Sequence, residues 1–140
     1  MKSYVILQKG FEYNDEIYSD SEGGSPSLVT FDLEGAKNKV KELNISEYKK
    51  VSLRDYAYDM EDVLSVDEDT FLAFNRKLRE KYGEIQTRWR EDVDYMLHPS
   101  ANEEESNEYA SMVTISFYEY VETEIDLQSF RNERINDVLE

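Results

Sequence analysis

One histidine and 32 carboxylates are the first side chains here to weigh for acid–base chemistry. His98 stands in Leu-His-Pro at the end of an apolar segment. A serine nucleophile with a histidine base would have to run through this one residue. A lone histidine at an element end is ordinarily a capping or surface residue, and His98 is read that way. No Gly-x-Ser-x-Gly turn exposes a serine. Cysteine is missing altogether, which excludes disulfides, thiolate metal sites and thiol nucleophiles.

Paired carboxylates hydrolyse glycosides when their separation is right. With 32 acids in 140 residues some pair always meets that distance, so pairing selects nothing. Glu119 is the most distinctive single acid, because it shares a predicted strand face with Phe117 and Val121. An acid drawn into an apolar setting can serve as a proton donor; the plainer reading is a solvated side chain on a protruding strand. Calcium loops fail on position: starting at Asp67 or Asp92, the fifth residue is Phe71 or Met96 where a ligand is needed. Gly23-Gly24 is the only close glycine pair, and no Gly-Lys-Ser/Thr follows it to cradle a phosphate. No cofactor and no metal are expected.

The positive signal is aromatic. There are eleven tyrosines, six phenylalanines and one tryptophan, and the tyrosines recur beside acids. Tyr13 lies near Glu12 and Asp15, Tyr18 near Asp20, and Tyr56 and Tyr58 around Asp55 and Asp59. Tyrosine gives large contact area at low entropic cost and is enriched at interfaces. It also fills the edges of small cores. The densest acidic stretch supplies the rest of a candidate partner-binding face: Tyr56, Tyr58, Asp59, Glu61, Asp62, Asp67, Glu68 and Asp69.

These groups need elements to hold them. Tyr4–Leu7 starts a buried strand, and residues 11–18 form a second extended segment that Asn14-Asp15 bulges or turns. Ser19 to Pro26 carries the strongest loop signal, and Ser27 to Phe31 reads as a strand. Asp32 caps a helix over 33–44 with Leu33, Ala36, Val40 and Leu43 on one face. Residues 52–64 fit a helical stripe, although Val51 and Leu53 could equally begin a strand. A helix over 67–82 is capped by Asp67, or by Ser65 with Glu68, and stopped by Gly83. Residues 85–97 suit strand and helix alike. Residues 100–108 form a loop or a short solvated helix, and Met112 to Thr123 form a strand. Asp126 caps a last helix with Leu127, Phe130, Ile135 and Val138 inward. The sum is one α+β domain over residues 1–140. It is mostly antiparallel sheet, with the N-terminal hairpin paired to the 112–123 strand and helices packed on one face.

The net charge of −16 limits the partners. Nucleic acids and anionic membranes draw on Lys and Arg, so direct binding to either is not expected. Tyr4–Leu7 is too short for a secretory segment, and no apolar run is long enough to cross a bilayer. A soluble cytoplasmic protein follows as the expectation. Residues 36–50 hold five lysines against two acids and residues 76–90 six basic residues against two acids; packed together they would make a cationic strip. The function expected is a non-catalytic acidic interaction domain. It would be an inhibitor, immunity or adaptor protein that docks on a protein with a basic surface. Two alternatives stand beside it. One is a nucleic-acid mimic whose acid row blocks a DNA- or RNA-binding protein, and the other is a small carboxylate-based enzyme or ligand-binding domain. An assembly subunit with tyrosines buried between copies is a further form, and oligomeric state is not fixed by the sequence.

Overall fold

The computed structural model describes residues 2–86 and 90–124. Strand β1 runs over Lys2–Tyr13 and β2 over Tyr18–Thr30, joined as an antiparallel hairpin from Tyr13↔Tyr18 back to Tyr4↔Thr30. The turn sits at Asn14-Asp15. The Asn14 side-chain oxygen accepts from the backbone N–H of Glu16 (3.0 Å) and Ile17 (2.8 Å), and Asp15 takes a φ of 77°. Asn and Asp tolerate this geometry because their short side chains bond locally.

Ser19 to Pro26, expected as a loop, lies instead within β2. The sheet order is β2-β1-β3, so β2 is an edge strand. There a proline costs no ladder bond, and Pro26 pairs opposite Leu7. Register shifts between Ile6 and Leu7 and between Lys9 and Phe11 absorb the irregular sequence. Gly24 is required by close approach: a Cβ there would stand 2.8 Å from the Gln8 carbonyl oxygen.

Strand β3 (Tyr118–Glu124) pairs antiparallel with β1, from Lys2↔Glu124 to Gln8↔Tyr118. It is shorter than the 112–123 strand expected. Met112 ends a helix, and the 113–117 stretch makes an isolated bridge at Leu64↔Val113 before the Phe117 carbonyl accepts from Lys9 N–H of β1 at 2.8 Å. Asn44 takes over where the ladder begins, accepting from the N–H groups of Phe117 and Tyr118 at 2.8 and 2.9 Å.

Helix α1 (Leu33–Tyr48) is capped by Asp32, whose carboxylate accepts from Glu34 N–H, and runs four residues past its expected end. Helix α2 (Glu68–Tyr82) begins at Asp67 and ends at Gly83, whose φ of 98° suits a glycine and whose N–H bonds to Arg79. Residues 103–112 form a third helix, α3 (Glu103–Met112). Asn102 and Glu105 close a reciprocal capping box at its start. α1 packs on β1 and β3, α3 packs against α1, and α2 packs against α3. The α+β class is the one expected.

The 52–64 helix does not form. Short 3-10 turns occupy Leu53–Tyr56 and Met60–Asp62, with extended backbone at Ala57 and Asp59 between them. Asp59 accepts from Glu61 N–H, the local bond by which aspartate competes with a helix. Leu53, Met60, Val63 and Leu64 still reach the core, so their helix-like spacing marked burial only. The 85–97 segment is neither strand nor α-helix where described; a 3-10 segment spans Arg90–Tyr95. The expected helix over 126–138 lies outside the described residues. The core gathers Tyr48, Leu53, Phe71, Leu97, Tyr109 and Phe117. Burying a side chain of this kind contributes about 1.5–3 kcal/mol.

Candidate functional site

The acid–base candidates resolve first. His98 is buried; its Nδ1 accepts from Ser100 N–H at 3.0 Å and its Nε2 meets the Gly83 carbonyl at 2.8 Å. With Nδ1 accepting, the ring is the tautomer that donates from Nε2, and it ties the end of α2 to the approach of α3. Glu119 is exposed, at the rung opposite Leu7. Among the described residues no group of three or more metal-ligating side chains comes together, and no helix is long and apolar enough to cross a membrane.

The tyrosines do come together. The hairpin turn makes Tyr13 and Tyr18 a cross-strand pair with ring centroids 4.9 Å apart. Tyr18 stacks on Tyr56 at 5.2 Å, and Tyr56 meets Phe11 and Phe117 edge-on at 5.1 and 5.0 Å. Tyr56 thus roots the outer rings in the core, and burial pushes its phenol up to about 12, with help from Tyr18, Glu47 and Asp55. Tyr58 stands 68% exposed, and its hydroxyl accepts from the Asn14 side-chain amide at 3.0 Å. Tyr13 is 57% exposed. Exposed Glu12, Asp15, Glu16, Asp20 and Asp59 share this end of the molecule, and Lys9 answers Asp20 at 3.3 Å.

The second half of the candidate face lies at the start of α2. Asp67 turns its carboxylate onto Thr70, accepting from the hydroxyl (2.6 Å) and the N–H (3.1 Å), and these bonds hold it below the usual carboxylate range. Glu68 accepts from the Tyr95 hydroxyl at 2.7 Å. Burial first, and then Glu68, raises the Tyr95 phenol to about 12. The Arg54 guanidinium lies over the Tyr95 ring, 5.4 Å from its centroid. Arg54, Tyr58, Asp59, Met60, Glu68 and Tyr95 line a shallow cavity of about 340 Å³.

Of the expected face, Tyr58, Asp59 and Glu68 therefore meet around one cavity, and Tyr56 underlies the adjoining rings. Glu61, Asp62 and Asp69 are exposed and lie outside its lining. Tyr13, Tyr18, Arg54 and Tyr95 were not placed on that face by sequence. A turn at Asn14-Asp15 was the available signal for the first two, since it makes them opposite neighbours.

Among the described residues, several cations of the two basic segments are answered by carboxylates. α3 contacts both α1 and α2. Lys37, Lys39 and Lys50 pair with Glu34, Glu42 and Glu47 on or beside their own helix, while Arg79 and Lys81 pair with Asp94 and Glu105. Comparison with protein-family models, with curated proteins and with solved structures returns no match.

Proposed function

We propose that the protein is a non-catalytic interaction domain that docks on a basic protein surface, as an inhibitor, immunity or adaptor protein does, and that it works in the cytoplasm. The observation that carries this reading is the group of outward tyrosines, Tyr13, Tyr18 and Tyr58, set among carboxylates at one end of the molecule. Aromatic rings supply the contact energy of such a face, and the surrounding charge steers and orients the partner. Pinning matters as well. Tyr18 is stacked and Tyr58 is tethered to Asn14, so part of the ordering cost of docking is met before the partner arrives. The nucleic-acid mimic draws less support, because Asp67, in the middle of the acid row, turns both carboxylate oxygens onto Thr70.

The test is affinity capture from native lysate, at low and high salt, by the wild-type chain and by the Tyr13→Ser/Tyr58→Ser double variant. Both rings are exposed, so the variant keeps its fold, which circular dichroism checks. Partners held at low salt should be lost both at high salt and by the variant. Removing a central interface tyrosine costs about 2 kcal/mol, or roughly 30-fold in affinity. A partner set indifferent to salt and to the variant would overturn the reading.

A further inference from the structure

We infer that the cavity beside Tyr58 is a seat for an arginine side chain of the partner, and that Arg54 is the internal cation partly filling it. This rests on the docking reading above and names the chemistry the partner must present. The cavity has two kinds of wall. Tyr58 and Tyr95 offer ring surface, and Asp59 and Glu68 offer carboxylates. Both acids are held in place, Glu68 by the Tyr95 hydroxyl and Asp59 by the Glu61 N–H. A guanidinium suits both walls at once: its flat face lies on a ring while its forked N–H groups reach a carboxylate. An ammonium is a compact, strongly hydrated point charge and matches this pairing less well.

The molecule already demonstrates half of that recognition, since Arg54 rests its guanidinium on Tyr95. Arg54 is exposed and sits on a single 3-10 turn, so it can swing away when a second guanidinium arrives. With Arg54 in place the lining still carries two acids against one cation. A volume of about 340 Å³ admits one side chain rather than a helix; it lies at the small end of ligand pockets, about 300–1,000 Å³.

The experiment titrates the full chain with N-acetyl-arginine amide and N-acetyl-lysine amide, following the ring signals of Tyr58 and Tyr95 by NMR. The arginine probe should move both rings and bind several-fold tighter than the lysine probe. Arg54→Ala vacates the seat and should tighten arginine binding about threefold, the size of an exposed cation–π contact. Glu68→Gln keeps an acceptor for the Tyr95 hydroxyl while removing the charge, and should weaken binding about tenfold. Equal response to the two probes, or an Arg54→Ala chain that binds arginine no better, would overturn the inference. Salt-sensitive capture that persists while the arginine probe fails to bind would remove this inference alone. Capture indifferent to salt and to the Tyr13/Tyr58 variant would remove the docking reading instead.

Discussion

Tyrosine does two jobs in this molecule, and burial distinguishes them. Inside, three buried phenols find acceptors: Tyr48 donates to the Ile115 carbonyl (2.6 Å), Tyr109 to the Tyr95 carbonyl (3.2 Å) and Tyr95 to Glu68. Outside, Tyr13 and Tyr58 leave their rings in water. Burial disfavours the phenolate, so Tyr48, Tyr56 and Tyr95 are pushed up to about 12 and Tyr109 well above its ordinary value. A folded-state value above the unfolded one means stability fully present below pH of about 10 and lost as pH climbs through about 12. Ultraviolet titration should therefore show four of the eleven phenols ionising late, together with alkaline unfolding. A single ionisation of all eleven in the native protein near pH 10 would contradict their burial. His98 makes a second residue-scale case. His98→Phe leaves the Gly83 carbonyl and Ser100 N–H without their side-chain partner and should cost about 1–3 kcal/mol in urea denaturation.

At the scale of elements, Glu105 joins two helices. It accepts from the Tyr82 hydroxyl at the end of α2 (2.5 Å), from Asn102 N–H at the start of α3 (2.9 Å) and from Lys81 (3.0 Å). The Tyr82 bond leads in lowering its carboxyl to about 2, followed by the Asn102 N–H. A depressed folded-state value contributes stability above the unfolded value, near pH of about 4.3, and loses it as pH falls toward about 2. Acid unfolding of wild type should accordingly lose part of its pH dependence in Glu105→Gln. Asn102→Ala removes the other half of the capping box and should cost about 1 kcal/mol at neutral pH. Gly24→Ala forces a Cβ against the Gln8 backbone and should destabilise the hairpin by about 1–3 kcal/mol; an unchanged melting temperature would contradict the close approach. The same elements show how far local signals reach. Asp67 with Gly83, and Asp32, marked helix ends because caps act within a few residues. The glycines, serines and proline of β2 marked a loop because nothing local records a neighbouring strand.

Across the whole molecule, on the docking reading proposed above, the net charge of −16 acts on folding and on docking in opposite senses. Self-repulsion opposes the compact state, whereas attraction to a basic partner favours the complex. Raising salt from about 0.01 to 0.15 M shortens the screening length from about 30 to 8 Å. The melting temperature should rise while the complex weakens; both moving the same way would show that charge is not what draws the partner. The sequence by itself determined this charge, the absence of cysteine chemistry, the Asp32 cap of α1 and the Gly83 stop of α2. Each is a property of composition or of neighbours along the chain. Only the tertiary structure decided which tyrosines and acids meet. Asn14 reaches Tyr58 across 44 positions and Glu68 reaches Tyr95 across 27. The packing that closes such distances comes from the core and the sheet as a whole, and no stretch of residues encodes it alone.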